Sequence, residues 1–128
     1  MRLLLDTQLL LWAAYTPERV PETARALIAD VRNEVAFSPA SVWEVVIKRA
    51  LDRPDFRVDP RRLRRGLVEN GYVELPITSE HALAVDLLPP VHKDPFDRML
   101  VAQALAEGLP FVTADRRLAE YPGDVRLV

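Results

Sequence analysis

The chain contains 128 residues, of which 49% are hydrophobic and 28% are charged, a balance that is ordinary for one globular domain spanning residues 1–128. It has no cysteine and only two histidines, which excludes disulfides, thiol nucleophiles, thiolate metal sites and a histidine-rich zinc site. With a net charge of −2 and a pI near 5.7, it cannot bind nucleic acid through bulk charge, so any such contact would depend on local basic groups.

The N-terminal segment faintly resembles a signal peptide, because Arg2 is followed by the apolar runs 3–5 and 9–11. Asp6 and the two polar residues after it interrupt these runs, which are also too short to span a bilayer. We interpret the segment as a buried strand, a turn and a helix, and we expect a cytoplasmic protein.

Short apolar runs alternate along the chain with segments of helical periodicity. In chain order, the prediction gives strand 2–5, helix 9–14, helix 21–31 with Ala24, Leu27, Ile28 and Val31 on one face, strand 35–37, helix 39–51, loop 52–59, helix 60–69, strand 72–75, helix 79–87, helix 95–107, strand 110–113, helical segment 115–120 and strand 125–128. Strands that alternate with helices favour a parallel sheet covered on both faces.

Two acids directly follow predicted strands. Asp6 ends the run Leu3–Leu5, and Asp115 ends the run 111–114. In an open parallel sheet, sites form at the carboxyl ends of the strands, so both acids are expected at one edge. Each could equally be the N-cap of the helical segment that follows it.

Glu44 is an acid in an otherwise apolar helix, between Val42 and Ile47. It stands four residues before Lys48, a spacing that is typical of a helical ion pair. The apolar neighbours suggest a helix buried on most sides, where a carboxylate without a partner is unfavourable. The residues alone slightly favour the ion pair.

A third acidic segment lies at the predicted start of helix 95–107. Asp94 followed by Pro95 is typical of an N-cap and the first helical position, and Asp97 would lie in the first turn, where an acid interacts well with the helix dipole. For Asp97 a cap-like role and a site role are equally compatible with the sequence. His92 could be a hydrogen-bonding group or a catalytic one.

Carboxylates brought together repel unless a positive charge lies among them. A hard divalent cation such as Mg²⁺ or Mn²⁺ would satisfy them, because these ions prefer oxygen ligands. The run of arginines within 61–65 is typical of a solvated helix face. Arg98, Arg116 and Arg117 adjoin the acids and could bind phosphates through paired hydrogen bonds or simply neutralise the acids.

Four segments resemble those of the PIN-domain ribonucleases, specifically the VapC-like toxins of toxin–antitoxin pairs. They are Leu3-Leu4-Leu5-Asp6-Thr7 with Leu10-Leu11-Trp12, Ser38-Pro39-Ala40-Ser41-Val42-Trp43-Glu44-Val45 with Lys48, His92-Lys93-Asp94-Pro95-Phe96-Asp97-Arg98 with Ala102-Gln103-Ala104, and Phe111-Val112-Thr113-Ala114-Asp115. The resemblance covers nearly the whole chain, and the third segment is the most specific.

The resemblance implies an α/β fold of PIN type, a three-layer α/β/α sandwich with a mainly parallel central sheet. It implies an endoribonuclease that depends on Mg²⁺ or Mn²⁺ and is inhibited by a small antitoxin protein, and a homodimer is expected. It also favours a site role for Glu44. The implied catalytic and metal-binding acids are Asp6, Glu44, Asp97 and Asp115, supported by Asp94, Thr7 and Thr113, with Arg98 and Arg116 as contacts to RNA phosphates.

The expected reaction is hydrolysis of an RNA phosphodiester in a single strand or loop, where the backbone is accessible. One alternative is a haloacid-dehalogenase-like phosphatase with Asp6 as nucleophile, but that class needs an acid two residues later and Gln8 stands there. The other alternative is a non-catalytic binding module whose acids are helix caps and ion pairs. Dependence on Mg²⁺ or Mn²⁺ distinguishes the nuclease from the module.

Overall fold

A computed structural model describes residues 1–128 as strands and helices that alternate along the chain. The strands are β1 Arg2–Leu5, β2 Glu34–Phe37, β3 Val73–Glu74, β4 Phe111–Thr113 and β5 Val125–Leu127. The α-helices are α1 Thr7–Tyr15, α2 Glu22–Ala29, α3 Pro39–Ala50, α4 Pro60–Glu69, α5 Ser79–Val85 and α6 Pro95–Glu107. Two 3-10 helices span Pro17–Arg19 and Arg116–Glu120.

The five strands form one sheet in the order β3-β2-β1-β4-β5, and every neighbouring pair is parallel. Strand β1 is central: Leu3 is paired with Val35 of β2, and Leu5 with Val112 of β4. The predicted parallel sheet is confirmed.

The strands supply apolar side chains to two separate layers, because successive residues of a strand point to opposite faces. In β1, Leu3 and Leu5 pack with α1, α2 and α4, whereas Leu4 packs with α6 on the other face. Helix α3 contributes to both layers, through Val45 on one side and Ala40 on the other. Helices thus cover both faces of the sheet, as the predicted three-layer sandwich requires.

The chain reverses its direction of travel across the sheet at β1. Strands β2 and β3 lie on one side of β1, while β4 and β5 lie on the other. The crevice outside the carboxyl ends of β1 and β4 is therefore a topological switch point, the position at which open α/β sheets form their sites.

Three helices begin with a polar side chain and a proline. Ser38 Oγ accepts a hydrogen bond from the backbone N of Ala40 at 3.0 Å, and Asp59 accepts one from Arg61 at 2.9 Å. Asp94 accepts from the backbone N of Phe96 at 2.8 Å. These caps satisfy backbone donors that the first helical turn leaves unpaired, and proline removes another. The predicted starts of α3, α4 and α6 are confirmed.

Two predicted helix ends lie too far along the chain. Helix α2 ends at Ala29, and Val31, predicted on its apolar face, is 98% exposed. The carboxylate of Asp30 accepts a hydrogen bond from the backbone N of Arg32 at 3.0 Å, and this local turn replaces a further turn of helix. Helix α5 ends at Val85, whose carbonyl accepts a hydrogen bond from the Arg98 guanidinium at 3.1 Å.

Helix α3 is less buried than predicted. Trp43 is 61% exposed, and Val46 and Ile47 are exposed as well, so the helix is amphipathic with an additional apolar surface outside the core. The prediction of a helix buried on most sides is therefore wrong. No helix of the structure has both the length and the apolar character that crossing a bilayer requires.

Candidate functional site

The acids identified in the sequence border a single cleft at the carboxyl ends of β1 and β4. The cleft has a volume of about 280 Å³, and its lining includes Asp6, Glu44, Asp94, Asp97 and Asp115. These residues come from four regions of the sequence that only the fold brings together. The structure thus places every predicted acid at one site.

Asp6 is at the same time a helix cap and part of the cleft. Its Oδ1 accepts a hydrogen bond from the backbone N of Leu9 at 2.8 Å, and its Oδ2 accepts one from the hydroxyl of Thr113. The residue is only 4% exposed. Burial raises the pKa of the Asp6 carboxyl and the nearby Asp115 charge adds to this, against the lowering effect of its hydrogen bonds. Asp6 therefore caps α1 and also lines the cleft.

Thr7 and Thr113, the predicted supporting hydroxyls, are both buried next to the acids. Thr113 links β4 to Asp6, and its Oγ1 also accepts a hydrogen bond from the backbone N of Asp115 at 3.0 Å. Thr7 lines the cleft and donates to Ser41 Oγ at 2.8 Å, which joins α1 to α3. Ser41 was not predicted from the sequence, although its position one turn before Glu44 on α3 is a usable signal.

Glu44 has one paired and one unpaired oxygen. Its Oε2 lies 3.1 Å from Lys48 Nζ, so the predicted ion pair is confirmed. Its Oε1 is buried and has no hydrogen-bond partner. A buried carboxylate oxygen without a partner is energetically unfavourable, so a cation or a water bound to this atom would stabilise it.

Asp97 interacts with two other polar residues of its segment. His92 Nε2 lies 3.0 Å from Asp97 Oδ2, and the backbone N of Asp97 donates to Asp94 Oδ1 at 3.1 Å. One potential ligand atom from each of the three residues lies within 4.8 Å of the others. Burial, then the charges of Asp94 and Glu44, raise the pKa of Asp97 to about 6 against the opposing effect of His92.

Asp115 caps the 3-10 helix that follows β4, since its Oδ1 accepts from the backbone N of Arg117 at 3.0 Å. The Arg117 guanidinium also holds the carboxylate by two hydrogen bonds, Nε to Oδ1 at 3.1 Å and Nη2 to Oδ2 at 2.7 Å. This guanidinium keeps the pKa of Asp115 below its usual value. Asp115 is therefore more readily ionised than Asp6 and Asp97.

The cations at the cleft are not the two predicted from the sequence. Arg98 does not line the cleft, because its guanidinium donates to carbonyls of the segment 85–92, among them Pro89 at 3.0 Å, and to the Tyr121 hydroxyl at 3.2 Å. Arg116 is exposed and also lies outside the lining. Lys48 and Arg117 are the basic residues that line it. Arg98 thus holds segments of the fold together, and its predicted phosphate contact has no support in this geometry.

The donor set of the cleft fits a hard divalent cation. Its potential ligands are carboxylate oxygens, which Mg²⁺ and Mn²⁺ prefer, and it contains no sulfur ligand. Glu44 contributes a buried oxygen without a partner, and the pKa of Asp97 is raised first by burial and then by the charges of Asp94 and Glu44. A bound cation would relieve both features.

Comparison with protein families matches residues 3–124 to the PIN domain. No curated protein sequence gives a significant match. Among solved structures, the fold is similar to a chain of VapBC2 from Rickettsia felis in complex with promoter DNA, with a TM-score of 0.70, 14% identity, and coverage of 100% of this chain and 98% of that one.

Two further structures show the same fold. A chain of VapBC-5 from Mycobacterium tuberculosis has a TM-score of 0.66, 19% identity, and coverage of 99% of this chain and 97% of the other. A chain of DNA-bound VapBC from Salmonella typhimurium has a TM-score of 0.66, 18% identity, and coverage of 100% and 97%. The family match overturns the haloacid-dehalogenase alternative. With an acidic cleft at the switch point of a parallel sheet and a match over nearly its whole length, the chain belongs to the PIN-domain family.

Proposed function

We propose that the protein is a metal-dependent endoribonuclease, the toxin component of a toxin–antitoxin pair, which hydrolyses RNA phosphodiester bonds. The observation that carries the proposal is the convergence of Asp6, Glu44, Asp97 and Asp115 on one cleft. Membership of the PIN-domain family supports nuclease chemistry, and the similarity of fold to chains of VapBC complexes supports the toxin role.

These same four acids would hold Mg²⁺ or Mn²⁺, with Asp94 next to them. The cation, when bound, lowers the pKa of an attacking water and stabilises negative charge on the phosphate. Hydrolysis by a water molecule requires no covalent protein nucleophile, which is consistent with a chain that has no cysteine.

The remaining polar residues orient the acids. Thr113 fixes one oxygen of Asp6 while the start of α1 fixes the other. His92 holds Asp97, and Lys48 holds one oxygen of Glu44 while the other, which is buried, has no partner. Such preorganisation matters because small displacements of catalytic groups reduce the rate strongly.

The substrate would approach as a single strand or loop, whose backbone can enter an open cleft. Lys48 and Arg117 supply positive charge at the site, which compensates locally for the acidic pI of the chain. We place the reaction in the cytoplasm because cellular RNA is the proposed substrate.

The proposed antitoxin would cover the apolar surface beside the acids. Trp43 immediately precedes Glu44, Phe96 immediately precedes Asp97, and the two rings meet edge to face with centroids 5.1 Å apart. An apolar partner segment packed on the exposed Trp43 could direct an arginine or lysine into the cleft, where it would replace the positive charge of the metal.

A homodimer is a separate part of the proposal. Leu83 and Leu87 of the α5 region are strongly exposed, and burying such residues is the main favourable contribution to association. Sedimentation of the purified protein tests it: replacement of both leucines by serine should convert a dimer to a monomer, and a wild-type monomer would refute it.

The test of the nuclease is incubation of purified protein with total RNA in Mn²⁺, in Mg²⁺ and in EDTA, with the new 5′ ends mapped by sequencing. We expect discrete cuts with either metal and none in EDTA. Asp97→Asn should abolish them, whereas Arg32→Ala, at an exposed ion pair outside the cleft, should not. A non-catalytic binding module would instead retain RNA without cutting it and would be indifferent to chelation.

A further inference from the structure

Arg117 is the cation most firmly attached to the acids of the cleft. It donates to Oδ1 of Asp115 at 3.1 Å and to Oδ2 at 2.7 Å, so both oxygens of this carboxylate are occupied. Lys48, by comparison, contacts only one oxygen of Glu44, at 3.1 Å. Oδ1 also accepts from the backbone N of Arg117, so one acceptor site remains free, on Oδ2. A metal ion bound there would lie against the guanidinium and repel it, so metal and guanidinium compete for Asp115.

The Arg117–Asp115 pair is built from local sequence and does not require the cleft. The same spacing of two residues produces the same fork between Arg32 and Asp30 and between Arg126 and Asp124, with closest distances of 2.9 and 3.1 Å. Of the three pairs, only that of Arg117 borders the acidic cleft. This local Asp-x-Arg pair therefore occupies Asp115, an acid that the proposed metal would also use. Arg32, which forms the same pair with Asp30 outside the cleft, is a matched control.

The Arg117–Asp115 ion pair forms in the metal-free protein but is weak enough for a metal ion to displace Arg117. The Arg117 side chain is 63% exposed, and exposed ion pairs contribute little net free energy because water and salt screen them. A divalent cation bound among several carboxylates interacts with them much more strongly and would also repel a guanidinium at the same acid. Once released, the guanidinium is a planar donor that matches two oxygens of a phosphate.

We propose that Arg117 competes with the metal for Asp115 and binds a phosphate of the substrate once the metal has displaced it. This proposal rests on the function proposed above. The metal-free site is then partly neutralised by its own chain. Metal binding and recognition of the RNA backbone are coupled, because the first event frees the group that performs the second.

The first measurement is Mn²⁺ affinity without RNA, followed by the electron paramagnetic resonance signal of free Mn²⁺ at low ionic strength. Arg117→Ala should bind Mn²⁺ about two- to fivefold more tightly than wild type, the equilibrium effect of one exposed ion pair. Arg117→Lys, which keeps the charge but loses the fork, should fall between them, and Arg32→Ala should match wild type. Equal or weaker binding by Arg117→Ala overturns the competition.

The second measurement is cleavage of a single-stranded RNA oligonucleotide at saturating Mn²⁺. Arg117→Ala should raise KM about tenfold, as expected for the loss of charge-assisted hydrogen bonds, while kcat stays within about twofold. An unchanged KM with tighter Mn²⁺ binding refutes the phosphate role. If wild type binds Mn²⁺ and Arg117→Ala binds it more tightly, yet neither cuts RNA, the competition stands and the nuclease proposal fails. Absence of Mn²⁺ binding by wild type overturns both.

Discussion

Replacing Asp97 by asparagine should stabilise the metal-free protein at neutral pH. The pKa of Asp97 is raised from 3.8 to about 6 in the folded protein, so folding is favoured by its protonated form and opposed by its charge. For a carboxyl shifted in this direction, the unfavourable contribution is absent below the unfolded pKa, grows between about pH 4 and pH 6, and is complete above the folded pKa. Asparagine has no charge to desolvate and can still accept the hydrogen bond from His92.

The size of the effect follows from the shift. Each unit of pKa difference corresponds to about 1.4 kcal/mol, so the full shift gives an upper bound of roughly 3 kcal/mol. Asp97 is not fully buried, and its hydrogen bond with His92 changes from one to a carboxylate to one to an amide. Both facts reduce the effect, so we expect the free energy of unfolding to increase by about 2 kcal/mol at pH 7.5. The gap between the two proteins should fall to less than half of this value at pH 4.5, where most Asp97 is protonated in the folded state.

The assay is urea unfolding of wild type and Asp97→Asn in EDTA at pH 7.5 and pH 4.5, followed by circular dichroism. Repeating it with excess Mn²⁺ supplies a control, because a ligand that binds only the folded state should stabilise wild type more than the variant. A variant that is no more stable than wild type at pH 7.5 in EDTA, or a gap that does not shrink at pH 4.5, would refute the unfavourable burial of the Asp97 charge beside the other acids.

Five further variants test individual residues. Asp97→Ala should remove RNA cleavage with little loss of stability. Asp94→Ala should only weaken cleavage but should lower the melting temperature, because it removes a helix cap worth about 1 kcal/mol. The reverse pattern in thermal unfolding and RNA cleavage assays would exchange the roles of the two acids. Asp6→Asn should stabilise the metal-free protein, since burial raises the pKa of Asp6. Asp115→Asn should destabilise it slightly, since Arg117 lowers the pKa of Asp115. Urea unfolding in EDTA measures both effects. Thr113→Val should reduce kcat by freeing one oxygen of Asp6 while KM changes little, which steady-state kinetics with an RNA oligonucleotide would show, and an unchanged kcat would contradict the orienting role.

Features encoded by neighbouring residues were predictable from the sequence. The pairs Ser38-Pro39 and Asp94-Pro95 begin helices because capping and the fixed proline backbone act within one turn. Asp6 and Asp115 follow apolar strands, and the general rule for parallel sheets then places both at one edge. The Glu44–Lys48 ion pair follows from helical spacing alone.

The sequence did not determine the direction of the arginine side chains or the exposure of Trp43. Arg98 and Arg117 each adjoin an acid in the sequence, yet Arg98 caps carbonyls outside the cleft and Arg117 faces into it. The choice depends on which way each backbone segment turns, and distant parts of the chain decide that. The exposure of Trp43 was likewise unpredictable, because it depends on which faces of α3 the neighbouring elements cover.

By itself, then, the sequence determined the alternation of strands and helices, the caps at their ends and the acids that follow the strands, because all of these depend on contacts within a few residues. Only the tertiary structure decided that β1 and β4, more than a hundred residues apart in the chain, lie side by side and bring Thr113 to Asp6. It also decided the electrostatic environment of the site. The raised pKa of Asp97 and the unpaired oxygen of Glu44 arise from burial and from charges on other segments, and no local pattern contains that information.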